Sequence, residues 1–317
     1  MPILQLEDLT TNYRTVRGWV RAAENVTLEL EKGKALGLVG ESGSGKTTVA
    51  LSILKILPAG GRIRGGKILF DGRDIVPLND KQMRDIRWKG ISIVFQGSMN
   101  ALNPVFKVGS QIVEAIRLHE DISKSDAYTR AEALLEMVGV EPSRVNNYPH
   151  EFSGGMRQRA LIAMALAANP KVLVADEPGT ALDVIVQAQV LQLMRSLKEK
   201  LGLSMLMISH DLSIVAEVCE KIAIMYAGKV VEYGDIDAVF KEPLHPYTQG
   251  LLGAFPGITE HRKKLTSIPG QPPDLLNPPK GCRFNPRCPY AMDVCREKDP
   301  QLQRAGSGDH YVSCFLY

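Results

Sequence analysis

Hydrophobic positions change their period several times along the chain, and each change marks an element. Ile3-Leu4-Gln5-Leu6-Glu7 and Val26-Thr27-Leu28-Glu29-Leu30 alternate apolar with polar residues, which predicts half-buried strands. Ala35-Leu36-Gly37-Leu38-Val39 is apolar throughout and predicts a short buried strand, and residues 48–54 predict a helix. Residues 65–72 read as a strand bracketed by glycine turns. Helical spacing then takes over, with amphipathic candidates at 111–119 and 127–138. Strand and helix alternate again from about 150. Val172-Leu173-Val174-Ala175 and residues 203–209 predict buried strands. Between them, residues 184–201 place Val186, Val190, Leu193, Met194, Leu197 and Leu201 on one helical face, with Gly202 as the stop. Residues 222–226 and 229–233 flank Ala227-Gly228 as a hairpin. Such alternation implies an α/β fold with a mostly parallel sheet, an antiparallel annex and a helical insertion at about 97–160.

After residue 240 the composition shifts. Prolines stand at 243, 246, 256, 269, 272, 273, 278, 279, 286 and 289, so the expectation is a small irregular C-terminal extension over 241–317. Four of the five cysteines lie in it: Cys282, Cys288, Cys295 and Cys314, spaced C-x5-C-x6-C-x18-C. Cys219, amid apolar neighbours, predicts a core residue.

The 317 residues are 44% hydrophobic, enough for a real core. Lysine and arginine number 38 against 35 acidic residues, a net charge of +3 that calls for no polyanionic partner. His261-Arg262-Lys263-Lys264 reads as solvated surface, and no nucleic-acid partner is expected. There is no run of 18 apolar residues to span a membrane, and the N-terminus has no secretory pattern. A cytoplasmic location is the expectation, and there clustered cysteines are more often metal chemistry than disulfides.

Four motifs carry chemistry. Gly40-Glu41-Ser42-Gly43-Ser44-Gly45-Lys46-Thr47 matches the G-x-x-x-x-G-K-[ST] phosphate loop between a strand and a helix that runs on through Thr48. Its backbone N–H groups and the helix N-terminus suit a nucleoside triphosphate; Lys46 would reach the β- and γ-phosphates and the Thr47 hydroxyl would bind Mg²⁺. Ser153-Gly154-Gly155-Met156 offers a helix N-cap followed by glycines, a second anion-seeking helix end, though such triplets are common in ordinary loops. Asp176-Glu177 ends an apolar strand: the first carboxylate can hold Mg²⁺ and the second can take a proton from an attacking water, although alone this pair reads as a solvated turn. His210 follows another strand, where it could meet a γ-phosphate or be structural.

The order and spacing of these motifs over residues 3–235 resemble the ATPase subunits of ATP-binding cassette (ABC) transporters, which have a P-loop NTPase core. The resemblance implies ATP and Mg²⁺ as cofactors, Glu177 as general base, and His210 on the γ-phosphate. It gives Gln96 the place of the Q-loop glutamine, which contacts Mg²⁺ or the attacking water and senses the membrane partner; Thr47, Gln96 and Asp176 are the Mg²⁺ residues it implies. Ala181-Leu182-Asp183 matches the D-loop, and Tyr13 falls where the family stacks an aromatic ring on adenine, with Trp19 nearby. Ser153 to Met156 and Asp183 would then serve ATP held by a partner, in a head-to-tail dimer. His245-Pro246-Tyr247-Thr248-Gln249-Gly250, Ile268-Pro269-Gly270-Gln271-Pro272-Pro273, Gly281-Cys282 to Pro289, and Gln96-Gly97-Ser98-Met99-Asn100 further resemble oligopeptide, dipeptide and nickel importer ATPases, with Gly97 where an aspartate is common. An ATPase domain over 1–240 and an importer-type extension over 241–317 follow. The resemblance implies a subunit on the cytoplasmic face of the cell membrane that powers peptide import. Its partners would be a second ATPase, commonly a different chain, two membrane-spanning permeases, and an extracellular solute-binding protein. Oligosaccharides or nickel are the alternative solutes, and a soluble P-loop NTPase is the alternative class. Members can carry a [4Fe–4S] cluster at the four cysteines; zinc and free or disulfide-linked thiols are alternatives, with zinc disfavoured because C-x2-4-C knuckles are absent.

Overall fold

The computed structural model describes residues 1–97, 101–180, 182–254, 268–305 and 308–317. The chain opens with a long hairpin, β1 (Pro2–Thr15) and β2 (Gly18–Glu31), then β3 (Ala35–Val39), α1 (Lys46–Ile53), β4 (Gly61–Phe70) and β5 (Arg73–Asp74). Next come α2 (Asp80–Arg84), β6 (Ile91–Val94), α3 (Val108–His119), α4 (Lys124–Met137), α5 (Gly154–Ala165), β7 (Val172–Asp176), α6 (Val184–Leu201) and β8 (Ser204–Ser209). The last third holds α7 (Leu212–Val218), β9 (Lys221–Tyr226), β10 (Lys229–Asp235), α8 (Ile236–Lys241), α9 (Pro246–Gly253), α10 (Asp293–Glu297), β11 (Gln303–Arg304) and β12 (His310–Val312). Among the described residues no helix is long and apolar enough to cross a membrane.

These elements form two compact units. The first comprises Met1–Glu31, Ala35–Pro77 and Ile208–Tyr317; the second comprises Lys32–Lys34 and Leu78–Met207. In the first unit, β2, β1, β4 and β5 make an antiparallel sheet in that order. Strand β1 runs well past the predicted residues 3–7. Register shifts between Leu6 and Tyr13, and Asp8 at φ 49°, interrupt the two-residue alternation that marks a strand in sequence. Beside this sheet's residues in the same unit, β3 pairs in parallel with β9, Leu36 facing Lys221 and Val39 facing Ile224. The predicted hairpin β9–β10 is present and antiparallel.

The extension departs from expectation. It is not merely irregular: β12 pairs with β10 and aligns Val312 with Glu232 and His310 with Gly234. Helix α9 forms despite Pro246, because that proline occupies the first helical turn, where its missing N–H costs nothing. His245 caps the helix, its Nδ1 accepting from the Tyr247 N–H at 3.0 Å. The fully buried Glu232 carboxylate accepts from the backbone N–H groups of Leu244 and His245 and lies 2.8 Å from His310 Nε2. Three partners make that buried charge tolerable, and they sew the extension to β10. Burial lowers the His245 pKa to about 3, so its ring is neutral. Predicted surface residues 261–264, and Pro256, lie outside the described residues.

In the second unit β6 and β7 are parallel, Ile91 facing Val172 and Val94 facing Ala175, and β8 follows β7. Helices α3, α4, α5 and α6 belong to the same unit. Ile112, Ile116, Ala131, Leu135, Ile162, Leu173 and Met194 are fully buried. Arg130 bridges Glu120 at 2.5 Å and the Ala167 carbonyl at 2.7 Å. Helix α6 has the predicted limits: Gly202 closes it at φ 61°.

Candidate functional site

The first unit contains the phosphate loop, between the wholly buried β3 and α1. Gly45, the residue before α1, has φ 103°, and a Cβ there would lie 2.1 Å from the Ala22 carbonyl oxygen. Backbone conformation and crowding therefore both demand glycine. No side chain caps α1, so the first-turn N–H groups are left to a ligand rather than to the protein's own capping oxygen. Lys46 is buried and donates to the Gly40 and Glu41 carbonyls at 2.7 and 3.0 Å and to Ser44 Oγ at 3.3 Å. Ser42, Gly43 and Thr47 are exposed, and Thr48 is partly so. Tyr13 is partly buried in β1, paired with Val20 and Gly61. The neighbouring Trp19 has the Arg64 guanidinium 4.9 Å from its ring centroid. His210 is exposed directly after β8, at the strand's C-terminal end, as the sequence predicts.

One loop contact was illegible in sequence. Glu41 is gripped by Arg287 through Oε2 at 2.7 Å and Oε1 at 3.1 Å, while its backbone N–H donates to Tyr247 Oη at 2.9 Å. Both partners lie in the extension, more than 200 residues away.

The second unit contains the carboxylates. Asp176 ends β7 and is 1% exposed. The register of β6 on β7 aligns Val94 with Ala175, so Gln96 and Glu177 each stand two residues beyond a matched pair. They meet there: Gln96 Nε2 donates to Glu177 Oε2 at 2.6 Å, and Thr180 Oγ1 donates to the same oxygen at 2.9 Å. Glu177 has φ 47°, a left-handed backbone that is uncommon for a residue other than glycine. No sequence signal singled out Thr180, which joins Gln96 on the Glu177 carboxylate.

Ser153 caps α5 as predicted, accepting from the Met156 N–H at 3.3 Å. Gly154, Gly155 and Met156 are partly exposed in its first turn. A Cβ on Gly155 would lie 2.5 Å from Val186 Cγ1, so this glycine also lets α5 approach α6. Asp183 caps α6, accepting from the Val186 N–H at 2.9 Å. The packing thus links the Gly155 turn to the Asp183 turn. Ser98, Met99 and Asn100 of the Gln96 loop, and Ala181, lie outside the described residues.

The four clustered cysteines line one small pocket, together with His245, Phe284 and Tyr290. None is in a disulfide. Burial pushes the Cys282 thiol up to about 11, helped by the three neighbouring thiols, and raises Cys288 and Cys314 as well. Yet among the described residues no three His, Cys, Asp or Glu side chains are gathered closely enough to hold a metal ion. The ligand group expected from the spacing is therefore brought to one void but not assembled. Cys219 is in the core, 6% exposed.

Similarity to known proteins extends over nearly the whole chain. The family described as ABC transporter matches residues 23–180, and the oligopeptide/dipeptide transporter C-terminal region matches 231–295. The chain is 50% identical to the oligopeptide transport ATP-binding protein OppD of Bacillus subtilis, over 99% of this chain and 88% of that one. It is 45% identical to OppD of Escherichia coli, over 94% and 89%. It is 41% identical to the dipeptide transport ATP-binding protein DppD of Caldanaerobacter subterraneus, over 99% and 97%. Among solved structures, the dimeric post-hydrolysis state of the ATP-binding cassette MJ0796 bound to ADP and Pi superposes with a TM-score of 0.66 at 28% identity. That match covers 74% of this chain and 98% of the other.

Proposed function

The chain belongs to the ABC transporter ATP-binding proteins, in the oligopeptide/dipeptide branch, and from that premise we propose that it is the ATP-hydrolysing subunit that powers import of peptides across the cell membrane. One observation carries the hydrolytic reading: Glu177, strained and held by Gln96 at 2.6 Å, stands at the end of a buried strand in a chain whose phosphate loop is intact. Glu177 would take the proton of the attacking water, and Gln96 and Thr180 would aim its carboxylate. Lys46 and the first-turn N–H groups of α1 would bind the phosphates, His210 would contact the γ-phosphate, and Tyr13 would stack on adenine. Thr47, Asp176 and Gln96 each carry an oxygen donor, the ligand type Mg²⁺ takes, and would be its ligands. When bound, Mg²⁺ would offset charge on the phosphoryl oxygens.

Ser153, Gly154, Gly155, Met156 and Asp183 would cap ATP on a partner ATPase, which we take to be a different chain. As an ABC importer ATPase the subunit is peripheral to the membrane and works with permease partners. The cytoplasmic face, two permease subunits and an extracellular solute-binding protein complete our reading, with residues 1–240 as the ATPase domain and 241–317 as the extension. ATP binding would close the dimer, and hydrolysis would reopen it. Co-purification of the assembled transporter tests the function. ATP turnover is expected to rise when solute-binding protein loaded with oligopeptide is added. Stimulation by nickel or oligosaccharide instead would replace peptide as the solute.

The four cysteines are a finer proposal. The donor chemistry alone suits a [4Fe–4S] cluster: four soft sulfurs, none in a disulfide, line one pocket, and they would have to draw together to hold it. When bound, a cluster supplies cationic charge that stabilises the thiolates. Burial raises the Cys282, Cys288 and Cys314 thiols, so without such charge these three favour the protonated form. Anaerobically purified protein is expected to be brown and to carry iron, and Cys288→Ser is expected to lose it. One equivalent of zinc and no iron would overturn the cluster.

A further inference from the structure

Every guanidinium nitrogen of Arg287 donates, and two of the three meet one carboxylate. Its Nη1 and Nη2 donate to the two carboxylate oxygens of Glu41 at 2.7 and 3.1 Å. Its Nε donates to the Pro269 carbonyl at 2.8 Å, and the remaining reach is to Ile268 O at 3.4 Å and Tyr226 Oη at 3.3 Å. The Arg287 side chain is 5% exposed and that of Glu41 29%, so the pair is largely shielded from water. The hydrogen bonds to Glu41 hold the guanidinium firmly protonated. Tyr247, also fully buried, takes the Glu41 backbone N–H at 2.9 Å. Glu41 is thus fixed at main chain and side chain by two residues of the extension.

The sign of the charge matters. A loop that binds a polyphosphate should not carry an uncompensated carboxylate, because like charges at close range in a shielded site repel strongly. Glu41 sits inside the phosphate loop, one residue after Gly40, and its backbone carbonyl also takes Lys46 at 3.0 Å. The bidentate fork of Arg287 neutralises that carboxylate and fixes the segment from which Lys46 is held.

We propose that Arg287 is a positioning residue for ATP binding: acting through Glu41, with Tyr247 beside it, it sets the shape and charge of the phosphate loop. Nucleotide affinity then depends on the extension. The inference rests on reading residues 40–47 as the phosphate loop. It also places the cysteine-bearing segment one residue from the clamp, since Cys288 follows Arg287.

The test is equilibrium binding of a fluorescent ATP analogue to the full chain, with Lys46→Ala as the control for the loop itself. Arg287→Ala is expected to weaken binding roughly tenfold, the scale of one lost charge-assisted pair. The double variant Glu41→Gln/Arg287→Ala is expected to recover most of that loss, because the unpaired carboxylate is gone. Arg287→Lys, which keeps the charge but not the fork and covers the case in which the alanine variant fails to fold, is expected to bind a few-fold more weakly than the parent, with Glu41→Gln/Arg287→Lys closer to it; parental affinity in Arg287→Lys counts against the proposal. Parental affinity in Arg287→Ala overturns the proposal. So does a double variant as weak as the single one, since a purely architectural role would not be relieved by removing the carboxylate. If Lys46→Ala itself binds as the parent does, the phosphate-loop reading fails. If it loses binding while Arg287→Ala does not, only this inference fails.

Discussion

Glu177→Gln keeps nucleotide binding and loses steady-state hydrolysis, by roughly 10²- to 10⁴-fold, the range a positioned general base contributes. The substitution is nearly isosteric, so the geometry around it should survive. The amide oxygen can still accept from Gln96 Nε2 and Thr180 Oγ1, which now meet at 2.6 and 2.9 Å on one carboxylate oxygen. What disappears is the capacity to take a proton. The phosphate loop belongs to other elements, β3 and α1, and Lys46 keeps its own partners. Binding and turnover should therefore separate. Phosphate release measured on the assembled transporter, alongside nucleotide binding, decides the matter. Hydrolysis within threefold of the parent would remove Glu177 as the base. Loss of binding and turnover together would mean that the left-handed backbone at Glu177 tolerates no exchange.

Phe284→Ala destabilises the protein by roughly 3–5 kcal/mol, the cost of emptying a buried aromatic site. Phe284 is 2% exposed. Its ring meets Tyr226 edge-on with centroids 5.1 Å apart, Tyr247 at 5.5 Å and His245 at 5.6 Å. Tyr226 comes from β9, Tyr247 and His245 from α9 and its cap, so one ring joins the extension to the sheet. The extension has few buried apolar side chains to compensate, and stability of folded domains is only about 5–15 kcal/mol in all. Chemical denaturation should show a lower midpoint, and limited proteolysis should cut the segment after residue 267 first. A change below about 1 kcal/mol would mean that the polar pairs, Arg283 with Glu24 at 2.5 Å and Arg287 with Glu41, hold the extension without the aromatic cluster.

Much of the site was legible. The strand at 35–39, the hairpin about Ala227-Gly228, the Ser153 cap and the helix ending at Gly202 all stand where the spacing of apolar residues and the turn chemistry put them. Long strands were read short, because a bulge shifts side chains to the other face and erases the alternation. Helix α9 was read as irregular, because proline counts alone do not say that one proline falls at a first turn.

The sequence by itself determined the local chemistry: which loop can take a triphosphate, which strand ends in carboxylates, which helix begins with an open glycine turn. These depend on residues within a few positions of one another, where backbone geometry is set by sterics and periodicity. Only the tertiary structure decided what each site is held by. The β6–β7 register brought Gln96 to Glu177 across 81 positions. Burial of Glu232, Phe284 and Arg287 brought the extension onto the phosphate loop at Glu41, 246 positions away. No short-range pattern encodes such pairs. Their pairing is set by the burial of apolar surface over the whole unit and by the need to satisfy each charge that burial takes from water.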